Sequence, residues 1–140
     1  MDLQNEKCVM IIDENLPLGL IANTAAVLGA TLGKLYPQLI GEDVQDQSKV
    51  IHKGIINTPV PILKGNAEKI RQLIDSLKQP GFEDVSLIDF CSIAQSCVSY
   101  PQYTEKMAAT AEEALNYSGI CLYGSKKKIN KLTGSIALLR

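Results

Sequence analysis

The segment KCVMIID, Lys7 to Asp13, constrains the fold more than any other stretch of the chain. Cys8 to Ile12 are uninterrupted apolar residues, with β-branched Val9, Ile11 and Ile12 among them. Successive side chains of a strand point to opposite faces, so this run presents apolar groups on both and reads as a fully buried strand. The acids Asp13 and Glu14, followed by Pro17, close it. With 140 residues the chain has the size of one domain, spanning 1–140, and can bury a core without disulfide or metal support. Leu, Ile, Val and Ala supply that core, because there are two Phe, five Tyr and no Trp.

Helical and extended patterns alternate downstream. Leu18 to about Tyr36 reads as a helix rich in small residues (Ala22, Ala25, Ala26, Gly29, Ala30, Gly33) that ends at Pro37. The uncharged run from Asn15 to Gly33 has roughly the length of a membrane span. Pro17, Gly19, Gly29, Gly33 and the Asn and Thr residues make it too polar and too broken for lipid, so a buried helix is expected and no membrane partner. The opening MDLQNEKC lacks the basic region of a secretory signal. Gly41 to Ser48 reads as a polar loop and Lys49 to Lys64 as an extended stretch. There Pro59 and Pro61, two apart, remove amide donors from one side only, which marks an edge strand. Asn66 is placed to cap a helix with Ile70, Leu73, Ile74 and Leu77 on one face, stopped by Pro80 and Gly81. Val85 to Phe90 is a third strand, PQYTEKMAATAEEALN a helix, and SGICLYG a fourth strand. SKKKINKL gives one or two helical turns and GSIALL a terminal extended segment. Such alternation implies an α/β sandwich.

Cys8, Cys91, Cys97 and Cys121, with the single His52, match no zinc framework, and neither metal nor cofactor is expected. Thiols among apolar neighbours imply a reducing compartment, hence a cytoplasmic protein. The net charge of −1 gives no reason to expect a nucleic-acid partner. From Gly124 onward, however, Lys126, Lys127, Lys128, Lys131 and Arg140 stand without an acid. If the fourth strand runs parallel to the first, the Gly124-Ser125-Lys126 turn joins the Asp13 end as a phosphate clamp. If it runs antiparallel, the lysines are a basic surface helix at the opposite end. GSKKK also lacks the glycine spacing of a P-loop.

The order of elements and several strings, LPLGLIANTAAVLG, PVPIL, GICLYGSKKKINKLTG and the terminal IALLR, resemble the domain-of-unknown-function 2000 family over most of the chain. That family resembles in turn the type II peptidyl-tRNA hydrolase fold. The resemblance implies a three-layer α/β/α sandwich over a four-stranded mixed sheet of order 2-1-4-3, with strand 4 antiparallel. Hydrolases of that fold open helix 1 with Gly-Lys-(Ile/Val)-Ala-Ala-Gln-x-x-His, where this chain has Gly19, Leu20, Ile21, Ala22, Asn23, Thr24, Ala25, Ala26 and Val27. Their third strand ends Asp-Ala-Gly-Arg-Thr, matched here by Asp89, Phe90, Cys91, Ser92 and Ile93, with only the aspartate retained.

Ligands of open α/β sheets bind beyond the carboxyl ends of parallel strands. Strands 1 and 3 should share that end, bringing Asp13, Glu14 and Asn15 near Asp89 and Ser92, with the helix start at Gly19 between them. The two carboxylates then serve as acid and base or hold a cation, or else simply cap turns. Asn23 and Thr24 face the crevice from helix 1 or bond locally. Cys91 is a packed thiol, since His52 precedes the edge strand far from it. Three functions follow: a module that binds a small molecule or a protein partner with Asp13, Asn15 and Asp89; an ester or amide hydrolase using Asp89; and RNA contact through Lys126 to Lys131. The exposed edge strands are compatible with a homodimer, blunted on one edge by Pro59 and Pro61.

Overall fold

The structure is a computed structural model that describes residues 5–140. Its strands are β1 (Glu6–Asp13), β2 (Val44–Gln45), β3 (Ile51–His52), β4 (Ile62–Gly65), β5 (Ser86–Cys91) and β6 (Tyr117–Ser125). Its helices are α1 (Leu18–Leu35), α2 (Ala67–Leu77), α3 (Ser92–Ser96), α4 (Tyr100–Ala108) and α5 (Lys126–Thr133). Four strands form one sheet in the order β4-β1-β6-β5. β1 is parallel to β4 and antiparallel to β6, and β5 is antiparallel to β6, so β6 alone is reversed.

The double-faced character of β1 sets the layers. Val9 and Ile11 join Ile70, Leu73, Ile74, Ile120, Leu122 and Ile129 in the core beneath α2 and α5. Cys8, Met10 and Ile12 point the other way, joining Leu28, Leu32, Ile88, Phe90 and Cys121 beneath α1. Complete burial of an aliphatic side chain stabilises by about 1.5–3 kcal/mol, so these two clusters fix the helix positions.

Helix α1 differs from the sequence reading. It is long and apolar enough to cross a membrane, but here only Thr24, Leu28 and Leu32 are buried, one stripe at helical spacing laid on the sheet. Ala22, Ala26 and Ala30 face outward, so the expected buried helix is mostly uncovered. The close approach comes from the sheet instead: a Cβ on Gly119 would lie 2.7 Å from Cγ2 of Thr24.

The capping prediction for α2 holds, with Asn66 Oδ1 accepting from the Lys69 amide at 2.8 Å. The stretch from residue 41 does not stay a loop. β2 and β3 form a two-stranded ribbon, closed where Asp46 Oδ1 accepts from the amides of Ser48 and Val50 at 2.8 and 3.1 Å. The helix expected through Asn116 stops at Ala108, despite strong helix formers beyond it. Arg71 of α2 takes the carbonyls of Glu112 and Leu115 at 3.0 and 2.8 Å, and these tertiary bonds override local propensity. The terminal segment pairs along β4: Lys64 donates to the Ala137 carbonyl and Leu139 to that of Ile62, both at 2.9 Å. The outer edge blunted by Pro59 and Pro61 is therefore also covered.

Candidate functional site

β1 and β5 run the same way and end on one rim, but their acids do not stand level. Ile11 and Asp89 both pair with Ile120 of the intervening β6, and Ile12 and Phe90 both with Gly119. Asp89 is thus one pleat below Asp13. β5 continues to Cys91, beyond a register shift between Phe90 and Cys91. Two strand spacings and that two-residue offset put the backbones of the two acids roughly 12 Å apart. They do not meet as a carboxylate pair in one crevice.

Each opens on its own cavity instead. Asp13, Thr24 and Ser92 line a cavity of about 180 Å³ over the ends of β1 and β6, together with Gln95 and Asn116. Asp13 Oδ1 accepts from the Asn15 amide at 2.9 Å, so Asp13 does cap its turn, and Asn15 contributes backbone there. The Thr24 hydroxyl is buried and donates to the Leu20 carbonyl at 2.7 Å. Asn23 is exposed and donates through Nδ2 to Oε1 of Gln95 at 3.1 Å, tying α1 to α3. Gly19 is exposed, with open space around it.

Asp89 lines a larger cavity of about 400 Å³ beside β5, where Val27 and Thr31 of α1 face Cys97, Ser99, Tyr100 and Tyr103. The Asp89 carboxyl keeps contact with solvent and has no ion-pair partner among the described residues. Packing around it still removes enough hydration to push it above the ordinary carboxylate value, and the charge of Glu112 adds to this. Desolvation likewise raises the Tyr103 phenol, with a contribution from the Asp89 charge. The rings of Tyr100 and Tyr103 stand edge to face, 5.5 Å between centroids and 71° between planes. Sequence reasoning missed both. The available signal was their i, i+3 spacing, which puts two aromatics on one helix face in a chain with few.

A third group lies next to this one. The Arg71 guanidinium ion-pairs with Glu112 and lies 4.9 Å from the centroid of the Tyr117 ring. Lys78 Nζ and the Tyr117 hydroxyl also donate to the Glu112 carboxylate, at 2.7 and 3.0 Å. Glu112 is pushed down to about 2, chiefly by Lys78 and Arg71.

The lysines lie at the other end of the sheet, since Ser125 pairs with Glu6. Lys128 is held by Asp84 at 2.6 Å, and α5 is a surface helix, so no clamp forms with Asp13. His52 sits in the ribbon, bonded to Asp46 at 2.8 Å. Cys91 is buried with its thiol 3.8 Å from the sulfur of Met107.

These features define a compact α/β protein with one mixed sheet, helices on both faces and two cavities at one sheet end. A family model described as a protein of unknown function (DUF2000) matches residues 6–140, and the chain belongs to that family. No curated protein gives a significant match. Among solved structures the chain is similar to the protein of unknown function Atu0240 from Agrobacterium tumefaciens strain C58. The TM-score is 0.85 at 14% identity, covering 96% of this chain and 97% of that one, a likeness of fold alone.

Proposed function

We propose that this protein is a cytoplasmic small-molecule-binding module whose working cleft is the cavity beside β5. The observation that carries the reading is Asp89, a carboxylate without a cation, lining a 400 Å³ cavity with two tyrosines and apolar walls. Ligand pockets combine an apolar lining with a few polar groups, and unpaired acids with raised pKa values concentrate at such sites. The smaller cavity with Asp13 and Ser92 serves as an adjoining subsite. We read the fold as type II peptidyl-tRNA hydrolase-like, supported by the strand order β4-β1-β6-β5 with β6 reversed. Three buried free cysteines support the reducing compartment.

A second reading, hydrolysis of an ester or amide, draws on the raised pKa of Asp89, the feature expected of a general acid or base. An amide-resolved NMR titration with a small-molecule library tests the first reading, which expects hits to shift resonances of Asp89, Cys97 and Tyr103. Hits confined to other surfaces would reject it. Turnover of an ester or peptidyl-tRNA analogue that disappears in Asp89→Asn supports the second, and a wild-type protein inert on all of them rejects it.

A further inference from the structure

Resting on that reading of the cleft, we infer that it takes a small organic cation, a protonated or quaternary amine with an apolar body. Its charge lies between the Asp89 carboxylate and the rings of Tyr100 and Tyr103.

Charge is the first argument. Ten residues line the cavity and Asp89 is the one that carries a charge. An anionic ligand would be repelled there, and a neutral one would take the solvent-exposed Asp89 carboxylate out of water without giving it a partner, which costs free energy. A cation removes that cost. Geometry is the second argument. Tyr100 and Tyr103, edge to face at 71°, both line the cavity, and a ring face turned to it offers the negative π-surface that attracts ammonium groups. Val27, Phe90 and Val98 supply apolar wall for the rest of the ligand.

The third argument comes from the molecule itself. Arg71, Glu112 and Tyr117 join a cation to an acid and a tyrosine face in one closed cluster. Asp89 and Tyr103 supply the acid and the tyrosine a short way off, and there the cation is the component to be brought by a ligand.

The test is an NMR titration of the full chain with phenethylamine, its neutral isostere phenylethanol and its anionic counterpart phenylacetate. Phenethylamine should give saturable shifts at Asp89 and Tyr103 and bind about ten-fold more tightly than phenylethanol, with phenylacetate weakest. Asp89→Asn should bring the amine and alcohol affinities together. Tyr103→Leu should weaken amine binding roughly three- to ten-fold, whereas Tyr103→Phe, which keeps the ring, should not. Circular dichroism checks that each variant is folded. Equal affinity for amine and alcohol, or an amine preference that survives Asp89→Asn, overturns the inference. If phenylethanol or phenylacetate shifts the cavity resonances while the amine does not, the cleft remains a binding site and only the cationic ligand is lost. If none of the three shifts them at millimolar concentration, the inference fails, and the library titration then decides the cleft reading separately.

Discussion

Two acid-and-tyrosine clusters lie close enough for Glu112 to influence Asp89, yet their carboxylates are driven in opposite directions. Glu112 is held by Arg71, Lys78 and the Tyr117 hydroxyl, and its proton is released early. Asp89 has the desolvation without the cation, and its proton is retained longer. Composition does not separate the two sites; the presence of Arg71 does. A carboxylate built into a network of cations acts as a structural tie, whereas one left beside a cavity is available to something that comes from outside.

The largest effect is expected from removing the cation of the closed cluster. Arg71→Leu leaves the Glu112 and Leu115 carbonyls without their donor, and should destabilise by roughly 1–3 kcal/mol in urea unfolding. A variant as stable as wild type would mean that the cluster does not tie α2 to the chain entering β6. Next comes the pH dependence. The folded value of Glu112, about 2, lies below its ordinary 4.5, so its contribution is present above 4.5 and is lost as pH falls toward 2. Unfolding curves across that window should show a shallower acid limb in Glu112→Gln, and an unchanged limb would remove Glu112 from the account.

Asp89 has the opposite sign. Its folded value lies above 3.8, so the folded state holds the proton more tightly and ionisation costs stability as pH rises through that folded value. Asp89→Asn should therefore stabilise the empty protein at pH 7, by less than about 1 kcal/mol because solvent screens a partly exposed group. Destabilisation instead would indicate that Asp89 belongs to a structural network like that of Glu112. Lys78→Met should have the smallest effect of the four, since Lys78 is well exposed and Arg71 still holds Glu112. A thermal shift comparable to that of Arg71→Leu would erase the ranking of the two cations.

The sheet was legible because its signals are local. The apolar run of β1, the prolines before β4 and the Asn66 cap each state one constraint in a few residues, and strand order followed from resemblance. The site was legible only in part. Asp13, Thr24 and Ser92 come together around one cavity, while Asp89 sits one pleat lower because β5 runs on to Cys91. Cross-strand register decides that offset, and register depends on pairing partners distant in sequence. The outward alanines of α1 escaped for a similar reason: Gly119, far along the chain, sets which stripe of the helix meets the sheet.

The bridge that Ala137 to Leu139 makes along β4 bears on which sheet margins are open. A sheet with two bare margins can add neighbours head to tail without limit and grow into a filament. Here the tail covers the β4 margin, which leaves β5 as the other end strand of the four-stranded sheet. Cutting away the tail would bare the backbone of β4 from Ile62 to Lys64 and give the sheet a second open margin.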